Sequence, residues 1–170
     1  SRTDDERSAG VAGHPSTMPA CAPGEIARTL VQHGLSDAAV EVLRDCPRTA
    51  ERPVEDSLLL AYLLADRAPA EAVSNLRDAA FRAATENTRG SEALQVEATL
   101  NALLLLVRGR QIAPEDAWAT LEPWIDAGGT AWASTAQHAA IAATLIELGI
   151  AWGGLRQPEE ALSYMRRAYE

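Results

Sequence analysis

The sequence has no lysine, a single phenylalanine and only two cysteines, and 5% of its residues are aromatic. Each shortage excludes something. Without lysine, and with a formal net charge of −9, the chain lacks a basic stripe that could follow a phosphate backbone. The nearest basic groups, Arg108 with Arg110 and Arg166 with Arg167, are too small to replace one, so direct DNA or RNA binding is not expected. The cysteines, Cys21 and Cys46, have no CxxC and no metal spacing. Either they pair with each other, or Cys46 is a small buried hydrophobe and Cys21 sits in a mobile lead. Cysteine usage outside secreted scaffolds favours the second reading. The longest apolar run, Leu103 to Val107, is far short of a membrane span, and no basic start leads into an apolar stretch as a signal peptide would. These readings predict a cytoplasmic protein without a membrane partner.

The composition favours one architecture. Hydrophobic residues make up 47% of the chain and charged ones 23%, weighted toward Ala, Leu, Glu and Arg. Such residues favour helix, and no segment alternates with the period of a strand, so the fold class is all-α. Residues 1–23, with three prolines, two glycines and the acidic Asp4, Asp5 and Glu6, read as a flexible N-terminal segment or linker. Residues 24–170 read as one helical domain. Gly34 ends a first helix and Ser36 caps a second. The loop from Cys46 to Pro53 leads to a third helix at Val54–Ala65. Pro69 opens a fourth, Ser91 a fifth that ends at Gly109, and Pro114 a sixth that carries Pro123 inside it. A seventh runs from about Thr130 to Trp152, and an eighth begins at Pro158. The glycine pairs 128–129 and 153–154 have no Lys-Ser/Thr after them and no strand before them, so they are helix stops rather than a phosphate loop.

The second helices repeat. Pro69-Ala70-Glu71-Ala72, Pro114-Glu115-Asp116-Ala117 and Pro158-Glu159-Glu160-Ala161 are copies of one helix start. Each final alanine is followed four and seven residues later by a pair that shares its face: Leu76 and Ala79, Leu121 and Trp124, Met165 and Ala168. Ala39, Leu43 and Cys46 continue the pattern, with Ser36 in place of proline. The period is 33 residues from Ala39 to Ala72, then 45 to Ala117 and 44 to Ala161. A repeated helical hairpin cannot bury its apolar face alone and expects stacked neighbours.

The stretch Leu145 to Ala168 shows the hairpin most clearly. Its Leu148-Gly149, Trp152, Leu155, Ala161 and Ala168 resemble the tetratricopeptide repeat. That resemblance implies a right-handed superhelix of about four antiparallel helical hairpins acting as a binding module. The longer period resembles the helical-repeat arms of MalT-like and LuxR-type bacterial regulators, in which the arm senses an inducer or partner. The lysine-free, alanine- and arginine-rich style fits a high-GC bacterium. The chain starts without methionine and stops inside a helical pattern, which suggests a fragment of a longer regulator; a free-standing adaptor or scaffold is the alternative.

Residues that bear chemistry are scattered and have structural explanations. His33 lies in a helix's last turn, where a cation suits the dipole, and His138 lies in an alanine-rich helix with no cluster around it. Glu115-Asp116 and Glu159-Glu160 sit in first helical turns, which the dipole also favours. Trp118, Trp124, Trp132 and Trp152 serve either as core in a chain short of Phe and Tyr, or as part of a ligand or partner face. No catalytic residue, metal site or cofactor is expected; an accessory protein with a small-molecule pocket is the least favoured reading. The tetratricopeptide resemblance implies a groove lined by the first helix of each hairpin. At matching phases the groove residues are Ser57, Ala61 and Leu64, then Thr99, Ala102 and Leu106, then Ala143, Ile146 and Ile150. They are small or apolar and suit a hydrophobic helix of a protein or peptide partner, which another domain of the parent chain would also supply. The last hairpin has no polar cap after Glu170, so self-association through its Trp152–Met165 face is a further expectation.

Overall fold

A computed structural model describes residues 23–46, 52–86, 90–126 and 135–151, together with the single positions Glu159, Leu162 and Arg166. The described residues form seven helices and no strand: α1 (Gly24–Gln32), α2 (Ser36–Arg44), α3 (Val54–Leu64), α4 (Pro69–Glu86), α5 (Ser91–Arg108), α6 (Pro114–Asp126) and α7 (Thr135–Ala151). The fold is all-α. None of these helices is long and apolar enough to cross a membrane. The eighth helix falls almost wholly outside the described residues, although Glu159, Leu162 and Arg166 have helical backbone.

Local chemistry accounts for where the helices start. Six of the seven carry a carboxylate in the first turn, at Glu25, Asp37, Glu55 with Asp56, Glu71, Glu92 and Glu115 with Asp116, where the partial positive charge of the free N–H groups favours it. Pro69 and Pro114 hold the first helical position, where the missing N–H costs nothing. The alanine four residues from each loop then makes the same backbone bond. Ala39 N–H donates to Leu35 O at 3.1 Å, Ala72 to Ala68 at 2.9 Å and Ala117 to Ala113 at 3.0 Å. All three alanines are fully buried, as are Leu43, Leu76 and Leu121 four residues on. Ser36 is the exception to expectation. It is already helical, Leu35 occupies the cap position and no side chain caps α2.

Two helix ends use the same motif with different residues. After α1, Gly34 N–H donates to Val31 O and Leu35 N–H to Leu30 O, with Gly34 at φ +74°. After α5, Arg110 N–H donates to Val107 O and Gln111 N–H to Leu106 O, with Arg110 at φ +53°. These are paired Schellman bonds that satisfy the last carbonyls. Gly109 was expected to end α5. It is in right-handed geometry, and the left-handed position is one residue later, on an arginine whose Cβ is crowded there.

Each helix touches only helices one or two places away along the chain. Among the described residues, the backbones of successive odd-numbered helices come close, whereas those of the even-numbered helices do not; α2 and α4 meet only through the side chains of Arg44 and Glu71. Two apolar cores result. The first takes Ala27, Ala39, Leu43, Leu60, Leu64, Leu76 and others from α1–α4, closed by Ala98, Ala102 and Leu105 of α5. The second takes Leu100, Leu103 and Val107 from another face of α5, with Ala117 and Leu121 of α6 and Ile141, Leu145 and Leu148 of α7. Helix α5 therefore serves as a wall between them, which is why its apolar residues run around most of its circumference.

Cys46 is disulfide-bonded, which overturns the expectation of a free, buried thiol. Cys21, the only other cysteine in the sequence, lies outside the described residues.

Candidate functional site

The nine residues expected to line one groove divide among three environments. Ser57, Ala61 and Leu64 are buried at 0%, 1% and 2% exposure; Ala61 and Leu64 belong to the first core, and Leu64 also lines a shallow opening with Val40, Arg44 and Arg67. The exposed side of α3 instead carries Glu55 and Tyr62. The reason is that α3 is apolar on most sides, so a phase taken from spacing does not say which side faces a neighbour.

Thr99, Ala102 and Leu106 do line a common opening, but not along the odd-numbered helices. They line a cleft of about 250 Å³ with Leu76, Arg77 and Ala80 of α4, Leu103, Ile112 of the α5–α6 connection and Thr120 of α6. The cleft lies where α4 and α6 both pack on α5 without their backbones coming close to each other. Its wall is aliphatic. Thr99 Oγ1 donates to Gln95 O at 2.8 Å and Thr120 Oγ1 to Asp116 O at 2.9 Å, so both hydroxyl protons are already committed. The residues that spacing missed come from the second helices. Arg77 had a readable signal, since Val73, Ser74, Ala80 and Phe81 leave it without a carboxylate three or four positions away.

Ala143, Ile146 and Ile150 share one face of α7 with Ala139. Ala139, Ile146 and Ile150 are exposed and Ala143 is half-buried. Their spacing of four, three and four residues makes a continuous apolar row.

Where α3, α5 and α7 adjoin, the surface is polar rather than apolar. Tyr62 of α3 donates its hydroxyl to Glu97 of α5, and Asn101 Nδ2 donates to Glu97 O at 2.8 Å and to the Tyr62 hydroxyl at 3.4 Å. Burial first, and the bond to Glu97 second, push the Tyr62 phenol well above its usual range, so it stays a donor. Arg108 at the end of α5 continues the strap, with Nε 2.9 Å from Glu147 of α7 and Nη1 3.9 Å from Asp66.

A further polar contact is structural. Gly24 N–H, at the free end of α1, donates to Asp56 Oδ2 of α3 at 3.2 Å, and Arg28 lies 3.7 Å from Asp56 Oδ1. A Cβ on Gly24 would collide with that carboxylate, so only glycine allows the approach. Burial raises the Asp56 carboxyl above the ordinary range, with Arg28 and the Gly24 N–H acting in the opposite direction.

Among the remaining expected positions, Trp118 and Trp124 pack partly buried against the second core, and His33 is exposed at the end of α1. Glu115 and Asp116 are exposed in the first turn of α6, and His138 is half-buried on α7. Trp132, Trp152 and His14 lie outside the described residues, as does most of the Trp152–Met165 face. Among the described residues, no group of three or more His, Cys, Asp or Glu is placed to hold a metal ion. No protein-family model, curated protein or solved structure matches this chain.

Proposed function

We propose that the chain is a helical-repeat binding module, built as a right-handed stack of antiparallel hairpins of the tetratricopeptide type, which engages a protein partner rather than catalysing a reaction. The observation that carries the binding role is the row Ala139, Ala143, Ile146 and Ile150 on α7, which leaves Ile150 66% exposed. Isolated surface hydrophobes need no explanation, but a row in helical register is the complement of an amphipathic helix. With a net charge of −9 on the chain, a partner helix with neutral or basic flanks fits best. The stacked architecture is supported by the alanine and leucine buried in the same register at the starts of α2, α4 and α6. The contacts between successive odd-numbered helices support it as well.

In this reading the module is a sensor arm of a larger bacterial regulator, and a free-standing adaptor is the alternative. A capture experiment with the intact chain tests it. A partner recovered from the source cells, rebinding as a purified protein and lost on Ile150→Glu or Ile146→Glu in folded variants, supports the reading. Binding unchanged by both substitutions defeats it. Self-association through the last hairpin predicts a sedimentation coefficient that rises with concentration; a strict monomer rules it out.

The Cys46 disulfide weighs against the cytoplasmic placement expected from the sequence, because such bonds persist mainly in oxidising compartments. Blocking thiols in intact source cells, followed by a denaturing mass measurement, decides this. An unlabelled protein supports an oxidising location, and two labels support the cytoplasm.

A further inference from the structure

We propose that the cleft between α4 and α6 is a binding site for a medium-chain aliphatic carboxylate, a free fatty acid whose tail lies on α5 and whose head pairs with Arg77. This goes beyond partner binding and does not depend on the α7 row.

Three observations converge on the cleft. Its wall is built from Leu76, Ala80, Ala102, Leu103, Leu106 and Ile112, and the two alanines leave the space that larger side chains would fill. About 250 Å³ holds a single hydrocarbon chain of roughly eight to ten carbons at the ~0.75 packing density of protein interiors. The second observation is charge. Arg28, Arg44, Arg67, Arg82 and Arg108 each lie within 4.0 Å of a carboxylate, whereas Arg77 at the cleft, like Arg110 beyond the end of α5, has no such partner among the described residues. The third is the hydrogen-bond inventory. With the Thr99 and Thr120 hydroxyl protons given to their own helices, Arg77 is the donor left on this wall for an anionic head.

The same inventory selects among ligands. No carboxylate lines the cleft, so a cationic amphiphile has no partner there. The carboxyl end of a peptide would bring backbone N–H and C=O groups against an aliphatic wall, where unmet hydrogen bonds are costly. A plain hydrocarbon tail avoids that cost. Its head meets a guanidinium that can accept a carboxylate in two parallel bonds.

Titration calorimetry of the intact chain with decanoate tests the proposal. One site is expected. Affinity should fall about fourfold for each methylene removed toward hexanoate, the value of a buried methylene. Arg77→Gln should weaken decanoate about tenfold, and Ala80→Leu, which fills the cleft from the half-buried side of α4, should remove binding. Arg77 is exposed, so its variant keeps the fold even if Ala80→Leu does not. The proposal is overturned if decanoate does not bind, if decylamine binds equally well, or if Arg77→Gln leaves affinity unchanged. Loss of binding on Ile150→Glu, with Arg77→Gln unaffected, would also overturn it by moving the site to α7.

Discussion

The two cores on either side of α5 are built differently. The first is small-grained and laced with polar ties. Ala27, Ala39, Ala72, Ala79 and Ala83 let α1–α4 approach closely, Asp56 ties α3 to α1, Arg44–Glu71 ties α2 to α4, and Arg67–Asp37 ties the α3–α4 turn to α2. The second is filled by larger side chains, with Trp118, Trp124, Ile112 and Ile125 packed around Leu121 and Leu145. Its described cross-helix ties run between α5 and α7. Gln137 Nε2 donates to Ala93 O at 2.8 Å, and Arg108 reaches Glu147. Helix α6 also rests more lightly on α5 and α7 than α4 does on α3 and α5. The contrast teaches that helices of one chain can be packed in two ways. Small residues bring helices together and large ones hold them apart, and the standing-off of α6 opens the cleft beside α4.

The largest test of that contrast is a pair of core truncations. Leu60→Ala in the first core and Leu121→Ala in the second should each cost about 2–5 kcal/mol in chemical denaturation. Hydrogen exchange separates them. Leu121→Ala should speed exchange in α6 and α7 while α1–α4 stay protected, whereas Leu60→Ala should loosen all the helices of the first core. Equal loosening of both halves by Leu121→Ala would show that the two cores form one cooperative unit.

Next in size is the Asp56 tie. Asp56→Ala leaves the Gly24 N–H without its acceptor and should cost about 1–3 kcal/mol. Because burial raises the folded-state carboxyl, the native protein binds the proton more readily than the unfolded chain. Stability from this group is therefore present below the ordinary carboxylate value and lost as pH rises through the raised one. Denaturation of the wild type and Asp56→Asn between neutral and mildly acidic pH should show the wild type gaining on the variant as pH falls.

Arg110→Gly should stabilise the chain by roughly 1 kcal/mol in thermal denaturation, since glycine takes the left-handed position without a Cβ conflict. The smallest effect belongs to the strap. Arg108→Ala should change stability by less than about 1 kcal/mol, because the guanidinium is half exposed. A larger loss would mean that this strap, rather than the shared wall, couples the second core to the first.

What the sequence made legible was local. Pro69 and Pro114, the acidic first turns and the alanine–leucine register mark helix starts with little help from tertiary structure, and Gly34 marks an end. What it hid was relational. Asp56 caps a helix 32 positions away in sequence. Arg110 adopts a geometry that its side chain does not favour. Thr99, Ala102 and Leu106 share one phase of α5, but phase does not name the partners that complete their cleft, Leu76, Arg77 and Thr120, which lie on helices that both pack on α5. Spacing groups Ser57, Ala61 and Leu64 on one face of α3, but on a helix that is apolar on most sides it does not name the neighbours that bury them.

The shared wall also sets an order of events on the ribosome. The first core is missing Ala98, Ala102 and Leu105 until α5 has emerged, so the first four helices leave the exit tunnel with an open apolar side. Each nascent chain must wait for that one helix before its opening half can close. A pause or cut within residues 91–108 would therefore leave the earlier helices exposed to aggregation, whereas a break after α5 would spare them.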